Sequence, residues 1–183
     1  MPLFSKPILF GCNQCGECCR QVQVPLSHAD LLRLYRRFGA QPLDSWLQLH
    51  PIEREDPEAV MIAGRPVLLT LRTRLPEGGC RMLVENQCSI YADRPMVCRT
   101  FPFSRRGRGL RISPEFELLV SMSCDQVPFH GQREVKANIA VCDRDFARFR
   151  LLVKQWNQET AGQPERQSIE AFIAYLEQME ESE

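Results

Sequence analysis

The clearest periodic pattern of apolar residues lies in the last third of the chain. From Gln132 onward, apolar side chains recur every three or four residues, which is the spacing of one face of a long helix. Gly162 and Pro164 interrupt this pattern, and Ser168 then precedes a second, shorter apolar stripe. The first stripe comprises Val135, Ile139, Cys142, Phe146, Phe149, Val153 and Trp156, and the second comprises Ile169, Phe172, Leu176 and Met179. The pattern predicts a helical hairpin over residues 132–183.

Helical signals also occur nearer the start of the chain. Ser27 is suited to cap a helix because Asp30 follows it three positions later, and an amphipathic run occupies residues 31–38. A short second helix is expected over residues 43–49, ended by Pro51.

Strand signals are short and scattered. Residues 60–62 and 67–71 are apolar and β-branched runs joined by the turn-forming triplet Ala63-Gly64-Arg65, which predicts a β-hairpin. Residues 108–112 form a further candidate strand. With the helices, these signals predict an α+β fold that is mostly helical, with small antiparallel β-hairpins.

The chain is expected to form a single domain. Residues 1–131 would be a cysteine-cluster metal-binding region, and residues 132–183 a C-terminal helical hairpin packed on it. About fifty residues alone would bury only a marginal core, so the hairpin is not expected to fold separately.

Cysteine is the unusual component of the composition, with 9 of 183 residues. A chain of this length buries about 70% of its unfolded surface, so it does not need disulfides to fold. The first ten residues lack the long apolar run of a secretory leader, and no run of 18 apolar residues predicts a membrane span. We therefore expect a cytoplasmic protein with no membrane association, whose reduced thiols bind metal or take part in redox chemistry.

The formal charge is balanced, with 23 Lys and Arg residues against 23 Asp and Glu residues. This balance argues against nucleic acid as a partner of the whole chain, and a protein partner is left open. A local exception is an arginine-rich segment, in which Arg99, Arg105, Arg106, Arg108 and Arg111 fall within thirteen residues. Its simplest interpretation is a solvated loop, and the alternative is a surface for phosphate, nucleic acid or an acidic protein.

Four cysteines fall within eight residues in the motif Cys12-x-x-Cys15-Gly16-x-Cys18-Cys19. Two residues between cysteines allow a tight knuckle that directs both sulfurs at one metal. The first three cysteines also match the spacing of a bacterial ferredoxin-type cluster loop, whose remaining ligand is remote. Because neighbouring side chains diverge, Cys19 is expected to point away from Cys18 and either serve a second centre or pack as a thiol.

A second set of cysteines is widely spaced and comprises Cys80, Cys88, Cys98 and Cys124. Residues 76–103 lack apolar periodicity and are rich in turn residues, as metal-knuckle segments are. Pro95 is placed to begin a helical turn that carries Cys98. Without Cys142, which is expected to be a small buried hydrophobe, eight sulfurs make two four-coordinate sites, or one cluster with spare thiols. The spacing favours an iron–sulfur cluster of the 4Fe–4S type over zinc.

Two composite motifs occur in order along the chain. The first is Phe10-Gly11-Cys12-Asn13-Gln14-Cys15-Gly16-Glu17-Cys18-Cys19. The second is Cys80-Arg81-Met82-Leu83, then Cys88-Ser89-Ile90-Tyr91, then Arg94-Pro95-Met96-Val97-Cys98-Arg99-Thr100-Phe101-Pro102, with Cys124 as a late cysteine. Together they resemble the CxxCxxCC family of YkgJ-type cysteine-cluster proteins, described as a zinc- or iron-chelating domain. The resemblance covers roughly residues 10–125, does not extend to the helices over 132–183, and implies a metal or iron–sulfur site without an agreed reaction.

Neighbours of the cysteines have expected roles as well. Arg94 is suited to donate hydrogen bonds to a thiolate or cluster sulfur. Tyr91, Phe101 and Phe103 are expected to form an apolar wall around the site. The isolated residues His28, His50 and His130 are not expected to be metal ligands.

Three functions agree with these features. The first is a metal-binding protein with a redox, sensing or metal-handling role. The second is a metal-dependent protein-modifying enzyme, by analogy with a longer relative that methylates flagellin lysines, although the chain shows no G-x-G-x-x-G loop or nucleophile–base pair. The third is a zinc-ribbon-like interaction module that uses the arginine-rich segment.

Overall fold

The computed structural model describes residues 7–21, 23–53, 55–74 and 78–182. The expectations for residues 1–6 and for Pro76 therefore fall outside the described residues. The α-helices are α1 (Glu17–Gln21), α2 (His28–Phe38), α3 (Met96–Thr100), α4 (Glu117–Ser123), α5 (Gln132–Glu159) and α6 (Ile169–Glu181). The strands are β1 (Leu9–Gly11), β2 (Leu47–Pro51), β3 (Val60–Ile62), β4 (Arg65–Leu71), β5 (Leu83–Val84), β6 (Gln87–Cys88), β7 (Phe103–Arg106), β8 (Gly109–Ile112) and β9 (Asp125–Pro128).

The α+β class is confirmed. Of the described residues, 47% are helical and 22% lie in strands, so helix is the larger share. The strands form one three-stranded antiparallel sheet in the order β2-β4-β3 and three two-stranded antiparallel ladders, β1-β9, β5-β6 and β7-β8. Within these described ranges, no helix is long and apolar enough to cross a membrane.

The main core lies between the three-stranded sheet and helices α2, α5 and α6. Trp46, Phe149 and Phe172 are its largest fully buried side chains. The indole N–H of Trp156 donates to the carbonyl of Met61 at 3.1 Å, which joins α5 to β3. Burial of such large aromatic side chains contributes to the stability of this core, together with the aliphatic side chains around them.

The capping residues identified in the sequence lie where the helices of this core begin. Ser27 caps α2 in a capping box with Asp30, as predicted. The Ser168 hydroxyl accepts a hydrogen bond from the Ala171 N–H at the start of α6. The helix predicted from Gln132 begins at that residue, and the predicted hairpin at residues 60–71 forms from β3 and β4.

The helix predicted over residues 43–49 is wrong. Only Leu43–Ser45 form a single 3-10 turn, and Leu47–Pro51 become strand β2. Leu47, Gln48 and Leu49 pair with β4, which lies some twenty residues later in the chain. The ladder to β4 and the alternation of side chains between the two faces of the sheet override the helical spacing.

A smaller buried cluster supports the cysteine-bearing part of the chain. It consists of Phe103 and Leu110 of the β7-β8 hairpin together with Val135 and Ile139 of α5. The predicted strand at residues 108–112 is confirmed as β8, whereas its partner β7 was not predicted. The start of α5 therefore holds this hairpin, and the rest of α5 contributes to the main core.

Candidate metal centre

All eight cysteines of the predicted ligand set line one cavity of about 550 Å³. They come from five separated segments of the chain: the motif at residues 12–19, and the positions of Cys80, Cys88, Cys98 and Cys124. Cys142 is partly buried and does not line this cavity. The fold thus brings to one cavity cysteines that are more than a hundred residues apart in sequence.

An inner group of cysteines comprises Cys18, Cys80, Cys88 and Cys98. It is built on a contact between α1 and the segment before β5. The Cys80 N–H donates to the Cys19 carbonyl at 2.6 Å. A Cβ at Gly79, whose φ is +81°, would lie 3.1 Å from the Cα of Arg20, so the close approach requires glycine. Cys88 lies opposite Leu83 in the β5-β6 ladder, which returns the chain towards Cys80.

Helix α3 places Cys98 in the same group. Pro95 precedes the helix, and the Cys98 N–H donates to the Pro95 carbonyl at 2.9 Å, so the predicted helical turn is confirmed. The buried carboxylate of Asp30 accepts from the Met96 N–H at 3.1 Å and from Arg33 at 2.5 Å. This contact fixes the start of α3 to the cap of α2, and therefore to the main core.

The inner thiols are close enough to influence one another's ionisation. Burial raises the pKa of Cys98 above its ordinary value, and the neighbouring Cys80, Cys18 and Cys88 raise it further. Burial likewise raises the pKa of Cys80. The contact with Cys19, followed by burial, raises the pKa of Cys18. The thiols of Cys18, Cys80 and Cys88 therefore all lie near enough to Cys98 to act on its ionisation.

The expectation that Cys19 points away from Cys18 is wrong. Their sulfurs lie 3.9 Å apart, and both residues line the cavity. The two residues are in the short helix α1, where successive side chains are about 100° apart around the axis rather than on opposite faces as in a strand. Both sulfurs can therefore turn to the same side of the helix.

An outer group of cysteines, Cys12, Cys15 and Cys124, lies around β1 and β9. Gly11 pairs with Asp125, so Cys12 and Cys124 adjoin the same end of this ladder. Burial raises the pKa of Cys124 to about 11, with further increases from Cys15 and Cys12. Cys12 is exposed and Cys15 and Cys124 are partly buried, which places this group nearer to solvent than Cys80.

Tyr91 and Arg94 both line the cavity and contact each other. The Cζ of Arg94 lies 4.0 Å from the centroid of the Tyr91 ring, a cation–π contact. Tyr91 is 52% exposed, so it forms the rim of the cavity rather than a buried wall.

The cavity wall also contains an aromatic cluster that was only partly predicted. Phe101 and Phe103 line the cavity as expected, and Phe10, Phe116 and Phe129 join them. Phe103 stacks on Phe129 with ring centroids 4.5 Å apart. Phe10 and Phe129 lie in or beside the β1-β9 ladder, which no local sequence pattern indicated.

The arginine-rich segment divides between two environments. Arg105 and Arg106 end β7, Arg108 lies in the turn, and Arg111 lies in β8. Arg105 forms an exposed ion pair with Asp143 of α5 at 3.6 Å. Arg99 instead donates to the carbonyls of Ala92 and Arg94 in its own loop. These contacts agree with a largely structural role for Arg99 and a solvated hairpin for the others.

The donor set suits a thiophilic cation. Buried thiols whose pKa is raised are costly to ionise, and a bound divalent cation would offset that cost by compensating the negative charge. Sulfur donors select zinc and iron–sulfur clusters over hard cations such as Mg²⁺. As the side chains stand, the described ranges contain no three His, Cys, Asp or Glu groups already converged on a common point. Binding of a metal at this cavity would therefore require cysteine side chains to rotate from the positions described.

Comparison with known families agrees with this chemistry. A family model described as "Putative zinc- or iron-chelating domain" matches residues 11–143. The match extends beyond the motifs at residues 10–125 into the first part of α5, so the expectation that the likeness stops before residue 132 is wrong. Neither the curated proteins nor the solved structures gave a match. The chain belongs to the CxxCxxCC family.

Proposed function

We propose that this protein is an iron–sulfur protein that carries its cluster on the inner cysteines Cys18, Cys80, Cys88 and Cys98. The observation that carries the proposal is that these four cysteines come from four separate segments and line one cavity, in which Cys80, Cys18 and Cys88 all raise the pKa of the buried Cys98. Four cysteine thiolates are the usual ligand set of a 4Fe–4S cluster.

The cavity is large enough for a cluster as well as for a single ion. A tetrahedral zinc site holds its sulfurs about 2.3 Å from the metal and leaves no space between them. The cavity here is about 550 Å³ and has an aromatic wall, which gives room for a polynuclear centre in an apolar surrounding. A cluster bound there would supply one-electron transfer, so a redox or sensing role fits best.

Arg94 is the residue best placed to tune such a centre. Its guanidinium lies over Tyr91 at the cavity, and no carboxylate partner is found for it among the described residues. A positive charge beside a cluster stabilises the reduced, more negative state. We expect Arg94→Gln to move the reduction potential in the negative direction while the iron content stays the same, as measured by spectroelectrochemistry. An unchanged reduction potential would contradict this role of the Arg94 charge.

The proposal is tested by purification without oxygen. The protein should be brown and contain iron and acid-labile sulfide. Cys98→Ser should lose both, whereas Cys142→Ser, a matched substitution outside the cavity, should retain both. Colourless protein with stoichiometric zinc in the wild type would overturn the cluster, and retention of iron by Cys98→Ser would overturn the assigned ligand group.

A structural zinc site is the second candidate. The 3.9 Å separation of the Cys18 and Cys19 sulfurs is close to the separation of two thiolates on one tetrahedral zinc. Under this alternative, zinc would tie α1 to the segment around Cys80 and the protein would have no absorption in the visible range. A metal-dependent modifying enzyme would need, in addition, a substrate bound against the aromatic wall.

A further inference from the structure

The hairpin formed by β7 and β8 concentrates positive charge in a chain whose charges otherwise balance. Its residues 103–112 include four arginines and neither an acidic residue nor a lysine. All four arginines are exposed, and none of them lines the cavity that contains the cysteines. The proposed metal centre therefore does not account for this part of the molecule. The four arginines are Arg105, Arg106, Arg108 and Arg111.

The register of the hairpin divides these arginines between two faces. Residues directly opposite each other in an antiparallel ladder project to the same face, and successive residues of one strand alternate between faces. Arg105 pairs with Leu110, which is buried together with Phe103 against α5, so this face points towards the protein. The other face points to solvent. It consists of Ser104, Arg106, Gly109 and Arg111, and Arg108 lies beside it in the turn.

The arginines of the two faces differ in their charge partners. Arg105 is paired with the Asp143 carboxylate of α5 at 3.6 Å, so its charge is compensated. The Nε of Arg111 donates to the Ser104 hydroxyl at 3.3 Å, which orients the guanidinium but leaves its charge uncompensated. Arg106 and Arg108 make no ion pair with any residue that the structure describes. The outward face and the turn therefore present three guanidinium groups together.

The hairpin is fixed to the rest of the protein, so the spacing of these groups is set before a partner arrives. Phe103 stacks on Phe129 with ring centroids 4.5 Å apart and meets Phe10 edge to face at 5.1 Å. Arg106 and Arg111 are diagonal neighbours across the ladder, for which Cα atoms lie about 7–8 Å apart. Alternate residues of an extended chain lie about 6.5 Å apart and project to the same side. Acidic residues at alternate positions of an extended segment therefore match this spacing.

We propose that the outward face of the β7-β8 hairpin docks an extended acidic segment of a partner protein, whose carboxylates are bound by Arg106, Arg108 and Arg111. A guanidinium presents two parallel N–H donors to a carboxylate, a geometry that the ammonium group of lysine does not provide. Nucleic acid fits this face less well, because the face holds no aromatic side chain on which a base could stack. The balanced charge of the whole chain also gives no long-range attraction for a polyanion.

Docking on this hairpin is a transient, salt-dependent interaction. Contacts between exposed charges are individually weak and are screened by salt, so the affinity falls as the ionic strength rises. The same hairpin contributes Phe103 to the cavity wall, so a docked partner lies beside the cavity. This inference goes beyond the proposed function and does not depend on which metal the cavity binds.

The test measures binding of a fluorescent peptide of alternating Glu and Gly residues to the purified protein by fluorescence anisotropy at low ionic strength. We expect the wild type to bind this peptide, and binding to weaken as NaCl is raised to about 0.15 M. Replacing the three arginines by glutamine should weaken binding about tenfold, through the combined loss of three exposed ion pairs. This hairpin variant carries Arg106→Gln, Arg108→Gln and Arg111→Gln.

A matched control removes the same number of positive charges from exposed positions outside the hairpin, and it should bind the peptide as the wild type does. It carries Arg65→Gln, Arg81→Gln and Arg166→Gln. No binding by the wild type, or equal binding by the hairpin variant and the control, would overturn the docking face. Tighter binding of a single-stranded oligothymidylate of equal charge than of the peptide would overturn the choice of a protein partner. Should the hairpin variant not fold, as judged by circular dichroism, Arg108→Gln in the turn replaces it, with an expected loss of about twofold and the same contradicting outcomes.

Discussion

The main core and the cysteine-bearing segments are held together by different means. The three-stranded sheet and helices α2, α5 and α6 enclose large side chains such as Trp46 and Phe172, which are at most 1% exposed. The cysteine-bearing segments contain strands of two to four residues and helices of five to seven, and their buried cluster depends on Val135 and Ile139 of α5. The first region can fold by burying apolar surface, whereas the second has little apolar surface of its own to bury, and under the proposed function a metal centre bound by its thiols would supply the missing stability.

The largest expected effect is that of removing the metal. Structural zinc sites contribute about 10–16 kcal/mol of apparent binding free energy, which is comparable to or larger than a typical net stability of about 5–15 kcal/mol. We expect chelator treatment under anaerobic conditions to unfold the segments around residues 10–21 and 78–128. Helices α2, α5 and α6 should keep their amide protection in hydrogen exchange. If the treated protein keeps protection around Cys80 and Cys98, the centre does not stabilise this region.

The next largest effect is expected from a substitution in the main core. Phe172 is fully buried in α6 and contacts Phe149 and Trp156. Phe172→Ala should lower the free energy of unfolding by about 3–5 kcal/mol, because it removes apolar contacts and leaves a cavity. The metal content of the folded variant should be unchanged. Leu151→Ala, at a position 61% exposed on α5, is the control and should have little effect on denaturant unfolding.

A smaller effect is expected at the connection between the two regions. Asp30 is completely buried and joins the cap of α2 to the first residue of α3. Asp30→Ala should cost about 1–3 kcal/mol, because it leaves the Met96 N–H without its acceptor. It should also increase the rate at which a chelator removes metal, since α3 carries Cys98. Asp44→Ala, at an exposed position, provides the comparison, and equal chelation rates in the two variants would disprove this connection.

The smallest effect concerns a thiol outside the cavity. Burial raises the pKa of Cys142 from 9.0 to about 12, with contributions from nearby acidic groups such as Asp30 and Asp143. The unfolded chain therefore ionises this thiol at lower pH than the folded protein does. The stabilisation that comes from keeping this thiol neutral in the folded protein is complete below pH 9, and it is lost as the pH rises towards 12. Cys142→Ser should reduce the loss of Tm at alkaline pH relative to the wild type. Parallel profiles of Tm against pH for the two proteins would show that Cys142 does not cause this loss.

Sequence patterns predicted the main core better than the cysteine-bearing segments. The limits of α5, α6 and α2 follow from apolar periodicity and from the caps at Ser168 and Ser27, which are local signals. The segment 43–49 failed because its strand conformation depends on β4, a partner distant in sequence. Local pattern contains no information about such a partner.

The candidate site likewise has features that the sequence predicted and features that depend on contacts between distant parts of the chain. Spacing and family resemblance identified the eight cysteines that line the cavity, but not how they are grouped. The grouping depends on the pairing of Gly11 with Asp125 and on the contact of Gly79 with Arg20, both of which join distant parts of the chain. The orientation of Cys19 could not be obtained from the sequence because it depends on α1, which is only five residues long.

The hydrogen bond from the Cys80 N–H to the Cys19 carbonyl has a consequence for the order of assembly. Residues 20–79 leave the cavity and return to it at almost the same point, so their folding closes a loop of sixty residues. Closing a flexible loop of that length costs roughly 3–4 kcal/mol of chain entropy. Folding of the sheet and α2 offsets part of this cost, because it brings the two ends of the loop, and with them the two cysteine segments, near each other even where those segments are not themselves ordered.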